Sequence, residues 1–496
     1  MISKAVRKML AVSLAAVMAV GAMAGCGKEE NNVDPTKAPE ATKAPEASGD
    51  VAGDDAAGDA QEETTDSYTV RKDANGNVYD LGGMEIVIRD WWSTGERTRN
   101  NAYDEAHWDY VEWAEETYNF KITEQAIGDW GSNPGDFVDY ATTGGDENYI
   151  FVLRQSAEIV AAMNSGLMYE LGSLNLLDFS QEKFEGNGVH KLMSKGDKIY
   201  AMKAATPEPR GCLYFNKRLL EEAGIDPADL YKWQANGEWT WEKFEEVCKQ
   251  VHRDTDANGT IDVFGMAHQT SEFHKSAVIA NGGSFIDKDE NGMLFNDLES
   301  KETIEALNWT VDMTAKYQMT QPEGSEWNWF MAEFINGSAA FLTGQVYMAG
   351  QDLKDMEDDF GCVAFPMGPS SGGKYIGFFE DNVLAIPACY DADKAWKLAF
   401  AYDVYTAPVP GFEDNDMWKA SYYGNFRDTE AVDETLVILI DNGVLMYHTM
   451  VPGIELGSDI LWGLGWADAE GVVYTPAQKG EQLREAWNAY INDANK

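Results

Sequence analysis

Cysteine, histidine and basic residues are all scarce in this chain. Five cysteines and six histidines are spread over 496 residues, and no two cysteines show CxxC spacing. A disulfide-built scaffold and a clustered zinc site are therefore not expected. The four cysteines beyond Cys26 (Cys212, Cys248, Cys362 and Cys389) allow three pairings, among which sequence cannot choose. Buried free thiols are the expectation. Lys and Arg number 38 against 84 Asp and Glu, a formal charge of −46. Phosphate binding needs clustered Lys and Arg, so nucleic acid and anionic membrane surfaces are poor partners. Solubility accounts for the acidity. After residue 25 no apolar run is long enough to span a bilayer. No Ser-His-Asp, zinc-ligand or phosphate-loop signature appears, and no enzyme is expected.

What is present begins with an export signal. Lys4, Arg7 and Lys8 precede an apolar run from Met9 to Val20, and the segment closes Met23-Ala24-Gly25-Cys26. A basic start, a short apolar core and small residues before a cut mark a secretory signal over 1–25. The closing residues resemble a bacterial lipoprotein lipobox, with Met23 where that pattern prefers Leu. The resemblance makes Cys26 the lipid-modified mature N-terminus and places the protein on the outer face of the bacterial cell membrane. The linker 26–67 has no aromatic residue up to Ser67, repeats TKAPEA at 36–41 and 42–47, and carries twelve acidic against three basic residues. Such a composition cannot bury enough apolar surface to order itself, and its like charges extend it into a leash. The lipid is then the chain's only membrane contact.

From about Tyr68 onward the length suggests two domains. Met84–Asp90 reads as a buried strand leaving through Trp91-Trp92-Ser93-Thr94-Gly95. A helix over Asn101–Asn119, a strand at Phe120, a third strand Tyr149–Leu153 and a helix capped by Ser156 follow. This alternation argues for parallel βαβ units in an α/β protein. Cys212–Asn216 opens another strand–helix unit stopped by Gly224. Thr240 caps a periodic helix. Further helices are predicted over Ser300–Tyr317 and Ala392–Val404, with strands near Phe334–Leu342 and Val383–Pro387.

The order of these motifs resembles extracellular solute-binding proteins of family 1, the lipoprotein receptors of bacterial carbohydrate ABC importers. Gly211-Cys-Leu-Tyr-Phe-Asn-Lys-Arg-Leu-Leu-Glu-Glu-Ala-Gly224 is similar to the family's tyrosine–asparagine strand and helix, and Trp239–Phe244 to its "TWDEF" helix start. Asn336–Phe341 is similar to its "GKAAM" strand. Pro366-Met-Gly-Pro369, with Phe378-Phe379 and Val383–Pro387, is similar to its late loop and return strand. The resemblance implies a two-lobed α/β fold of the periplasmic-binding-protein type II, with lobes joined by a multi-strand hinge. Lobe 1 takes 84–205 plus 340–405, and lobe 2 takes 210–338 plus 410–496. It further implies a monomer that captures a carbohydrate, an oligosaccharide in particular, between the lobes and delivers it to ABC permease subunits. A peptide or other solute is the alternative ligand. A surface glycoside hydrolase is a more distant reading, for which no motif selects the required carboxylate pair.

Sugar recognition asks for flat aromatic platforms and planar polar partners, and α/β sheets hold ligands beyond the carboxyl ends of their strands. Trp91 and Trp92 cannot both enter one core face, so one of them is expected in the cleft. Arg97 or Arg99 nearby reaches sugar hydroxyls or forms surface ion pairs. Arg154 and Gln155 leave the third strand, and Arg210 precedes the second-lobe strand. Glu272 is a hydrogen-bond candidate, with Phe273 or His268 as a wall; His268 and His274 read as solvated loop residues rather than metal ligands. Trp327 and Trp329 lie on different faces of a helix, so at most one stacks on ligand. Gln345, Tyr347, Phe379 and Glu380 occupy strand-linked loops, and Trp462 and Trp466 a Gly-spaced one. For each Trp, packing is the competing role.

Asp254, Asp256, Asn258, Thr260 and Asp262, with Gly259 at position 6, match the first part of an EF-hand-type loop. Position 12 is Gly265, so the closing Glu is absent. Some family members hold a structural Ca²⁺ on a similar loop, which implies one Ca²⁺ here and no other cofactor. An Asp/Asn-Gly turn is the alternative.

Overall fold

The computed structural model describes residues 68–412, 417–468 and 470–496. The expected export signal, Cys26 and the whole of the expected linker 26–67 fall outside the described residues. The first sheet runs, edge to edge, Val383–Ala385, Tyr149–Leu153, Met84–Asp90 and Phe120–Ala126. Three strands are parallel and Val383–Ala385 is antiparallel. Both faces are covered. Ile150 and Val152 enter one apolar core, and Phe151 and Leu153 the other. That is the period-2 burial of a sheet between helices. The crossover helix Ala102–Tyr118 is capped by the Asn101 side chain and ends at Asn119 in the left-handed conformation (φ 55°). The strand order sends the chain from Met84–Asp90 to one side and then across to the other. A crevice opens where it reverses, between the ends of Met84–Asp90 and Tyr149–Leu153.

The second sheet is built on Pro209–Asn216, in which every residue is buried. Ala339–Gln345 pairs antiparallel along one edge and pairs in turn with Phe264–Met266. Phe360–Ala364 and Phe378–Phe379 share the other edge, and Val444–Leu445 pairs parallel with Phe378–Phe379. Helices Trp241–Val251, Thr270–Ala280 and Lys301–Tyr317 belong to its core. The Thr240 side chain caps the first of them and Ser300 the last.

This pairing corrects the expected division of the chain. The strands within residues 340–379, a stretch expected in the first lobe, belong to the second sheet. Ala339–Leu342 is fully buried and bonds Phe215 and Tyr214 across the ladder, so its apolar faces are met only there. The chain returns to the first sheet at Val383 and stays through helix Ala392–Tyr405.

Two extended segments join the sheets. Residues 202–210 and 378–384 run antiparallel, bridged at Met202 and Leu384 at one end and at Arg210 and Phe378 at the other. Beside the first of these bridges, Lys203 Nζ pairs with Asp381 Oδ1 of the facing segment. The chain leaves the first lobe again after Tyr405. At the other end of the fold, Tyr68 packs on Tyr110 at 5.1 Å, and Arg71 Nη1 pairs with Asp403 Oδ2 at 2.5 Å. The described chain therefore begins on the first lobe. Among the described residues no helix is long and apolar enough to cross a membrane. All four cysteines are free; Cys212, Cys248 and Cys362 are buried, whereas Cys389 is exposed.

Candidate functional site

Two cavities flank the hinge segments. The first, of about 360 Å³, sits at the crevice of the first sheet. Asp90, Trp92, Glu124, Lys203, Glu208, Arg210, Asp381 and Tyr405 are among its walls. Asp90 ends its strand and accepts the backbone N–H groups of Trp92 (3.0 Å) and Ser93 (2.9 Å) as well as the Ser93 hydroxyl. This turn holds Trp92 51 % exposed at the cavity. Trp91 turns inward onto the first core, edge-on to Trp92 at 4.7 Å. One of the adjacent pair is thus in the cavity and the other is packed.

The second cavity, of about 240 Å³, is lined from the first sheet by Arg154 and Gln155, and from the second lobe by Glu272, Lys275, His448, Thr449, Glu455 and Trp462. Trp462 is 65 % exposed there. Polar contacts run between the cavities. Arg210 bonds Gln345, pairs with Glu208 at 3.1 Å and lies over the Tyr347 ring at 5.4 Å. Gln345 reaches Glu272 at 3.5 Å, and Lys275 pairs with Glu272 (3.0 Å) and Glu380 (2.7 Å). Gln155 Nε2 donates to the Asp381 carbonyl at 2.7 Å, and Thr449 donates to Gln155 at 3.3 Å.

Burial works against both charges of the Lys275–Glu380 pair, but each outweighs it for the other. The Glu272 and Glu380 carboxylates raise Lys275, and Lys275 with His448 lowers Glu380. Burial pushes His448 down to about 4, partly opposed by Glu380. Glu124 is raised, first by desolvation; the Tyr405 hydroxyl opposes this and the Asp90 charge adds to it. Arg210 (9 % exposed) and Asp381 (1 %) each keep one atom, Nε and Oδ2, without a hydrogen-bond partner. Buried polar atoms normally find partners, so these two leave one donor and one acceptor in the cavity wall unanswered.

Of the residues singled out from sequence, Trp92 and Arg210 meet in the first cavity, and Arg154, Gln155, Glu272 and Trp462 in the second. Gln345, Tyr347 and Glu380 join them through the network. Others lie elsewhere. Arg97 is drawn to Glu115 (2.5 Å) and the Trp108 ring (5.1 Å). Phe379 is in the core because Gly443 leaves room for its ring. Trp329 packs on the second core, while Trp327 and Trp466 are exposed and line neither cavity. His268 and His274, read as solvated, are buried: His268 stacks on Phe273 at 4.1 Å, and His274 Nδ1 meets Thr310 Oγ1 at 2.5 Å. Burial pushes each down to about 3. Sequence reasoning missed Asp90, Glu124, Lys203, Glu208, Lys275, Asp381 and His448. The run Lys203–Pro209, with Pro207 and Pro209 flanking Glu208, carried a hinge signal.

The acidic loop folds around its own backbone. Asp254 accepts the N–H groups of Gly259 (2.6 Å), Asp256 (3.2 Å) and Asn258 (3.3 Å), and Asp262 accepts Thr255 N–H and Oγ1 (both 2.7 Å). These bonds hold both carboxyls below the usual range. Asp254, Asp256 and Asp262 bring carboxylate oxygens within 4.8 Å of one another, a hard-oxygen set that suits Ca²⁺. Asn258 Oδ1 is engaged by Thr260 N–H at 2.7 Å.

Comparison with known proteins adds the family. A family model described as bacterial extracellular solute-binding protein matches residues 109–408. No curated protein matches the sequence. Similar solved structures include the cyclic alpha-maltosyl-1,6-maltose binding protein from Arthrobacter globiformis (14 % identity, TM-score 0.55, covering 83 % of this chain and 100 % of that one). An ABC transporter solute-binding protein from Thermotoga lettingae, bound with alpha-D-tagatose, is 16 % identical with TM-score 0.54, covering 82 % and 99 %. UgpB from Mycobacterium tuberculosis, in complex with glycerophosphocholine, is also 16 % identical with TM-score 0.54, covering 82 % and 98 %. At these identities the likeness is one of fold.

Proposed function

The chain belongs to the bacterial extracellular solute-binding proteins, and from that premise we propose that it is the carbohydrate receptor of an ABC importer, tethered outside the cell by lipid on Cys26. It captures a sugar between the lobes and hands it to permease subunits. The observation that carries this reading is one cavity combining a half-exposed indole, Trp92, with two buried polar atoms lacking partners, Arg210 Nε and Asp381 Oδ2. A sugar's C–H face suits the indole, and its hydroxyls both donate and accept. The carbohydrate-binding relatives of the same fold support the reading. Titration calorimetry of the purified protein against a panel of oligosaccharides tests it. Saturable binding of at least one glycan is expected; binding of peptides and of no glycan would replace the sugar with a peptide.

In this reading the protein binds and releases its ligand unchanged. A cavity carboxylate with a raised pKa, Glu124 beside Asp90, is also what a glycoside hydrolase uses. A product assay on the bound glycans separates the two: intact sugar is expected, and cleavage would establish the hydrolase. The loop Asp254–Asp262 holds one structural Ca²⁺ through Asp254, Asp256 and Asp262, aided by Asn258 and the Thr260 carbonyl. Added Ca²⁺ is expected to raise the melting temperature and EDTA to reverse it, with Asp254→Asn abolishing the effect. An unchanged melting temperature would leave the loop a turn.

A further inference from the structure

The first cavity holds more negative charge than its own cations match. Lys203 is paired with Asp381 and Arg210 with Glu208. Asp90 and Glu124 are left over. They lie on neighbouring parallel strands, where Ile88 stands opposite Glu124 and Asp90 is two residues further along the same face. Neither forms an ion pair among the described residues. Asp90 is held by Trp92 and Ser93, and Glu124 accepts only the Tyr405 hydroxyl, at 3.2 Å, in addition to Ser93. The charge that Glu124 feels is that of Asp90. Two carboxylates facing one cavity repel, and a cation between them would relieve both.

The chemistry around them selects the kind of cation. Among the described residues, the one place that gathers three metal-type ligand atoms is the loop at Asp254, not this cavity. Beside the carboxylates stands the half-exposed ring of Trp92, whose π face attracts an organic ammonium. In the same cavity, the unpartnered Arg210 Nε–H asks for an acceptor and the unpartnered Asp381 Oδ2 for a donor. A hydroxyl group supplies both. We propose that this chamber is built for a carbohydrate bearing a protonated amine, with the ammonium between Asp90, Glu124 and Trp92 and the neighbouring hydroxyls on Arg210 and Asp381. The inference rests on the carbohydrate reading above and narrows it to amino sugars.

The test uses paired ligands that differ by their acetyl groups, with a change of pH to isolate the effect of charge. The probes are N-acetylglucosamine oligosaccharides and the same oligosaccharides after removal of their acetyl groups, titrated calorimetrically into the wild-type protein at pH 6.5 and pH 9.5. A charge-assisted bond with a desolvated cation–π contact should favour the amine about tenfold or more at pH 6.5. The preference should shrink at pH 9.5, where the amine loses its proton. Glu124→Gln should erase the preference for the amine, and the wild-type pH comparison stands even if that variant fails to fold. Equal affinity for the two forms at pH 6.5, or a preference that survives deprotonation, would overturn the proposal while leaving the carbohydrate receptor intact. Binding of peptides and of neither sugar form would overturn both.

Discussion

Single residues decide how much of the cleft is ligand site and how much is scaffold. Trp92 stands in the cavity because Asp90 gathers the backbone of the following turn, which leaves Trp91 to pack on the core. Trp92→Ala should weaken sugar binding at least tenfold, about the loss of one stacking platform, without lowering the urea midpoint. An unchanged affinity in calorimetry would move the site to the second cavity. The buried histidines answer to pH. Burial holds His268 and His274 near pKa 3 and His448 near 4, whereas an unfolded histidine titrates near ~6.5. Below ~6.5 the unfolded chain therefore binds more protons than the native one, and stability falls with pH by about 1.4 kcal/mol per unit for each histidine until its folded value is reached. Urea midpoints measured at pH 7.5 and pH 5 should show the drop; a midpoint that holds or rises would mean that these rings are solvated after all. His268 shows why such groups escape a sequence reading. Its neighbours Gln269, Thr270 and Ser271 are polar, and only the stack on Phe273 and the surrounding core reveal it as buried.

Among the elements, the hinge has the most to lose from a single change. Lys203 and Asp381 face each other between two antiparallel segments, and Asp381 is almost wholly buried. Lys203→Met leaves that carboxylate without its cation and should cost about 3 kcal/mol. Restoring neutrality with Lys203→Met/Asp381→Leu should recover most of the loss, and a double variant no more stable than the single one would deny the coupling. Helices and caps were legible in the sequence: Ser156 and Thr240 cap where the pattern places them, and the helices read from Asn101 and Ser300 are capped by those two side chains, because capping is a local matter of one side chain and the next turn. The allocation of Ala339–Gln345 was not. Its buried half, Ala339–Leu342, has no polar face to state which sheet it joins, and its antiparallel partner lies more than a hundred residues earlier in the chain. The candidate site was half legible for the same reason. Aromatics and arginines at strand ends announce themselves, but Asp90, Lys203 and Asp381 acquire meaning only from their partners across the hinge.

At the scale of the whole molecule, the proposed anchor and the receptor are expected to act as separable parts. The described fold starts at Tyr68 and is pinned to the first lobe through Arg71 and Asp403, and the walls of both cavities come from residues well beyond that start. Cys26→Ser should shift the protein from the membrane fraction to the medium with unchanged ligand affinity; loss of affinity in the released protein would show that the two parts depend on each other. The order in which the chain visits its two sheets has a consequence for biogenesis. The first sheet lacks its edge strand until Val383–Ala385 has been made, and the second lacks Val444–Leu445 until later still. Neither sheet can close its last edge while the ribosome is still in the first three-quarters of the message, so both lobes must finish their folding late, on strands made near the end of the chain.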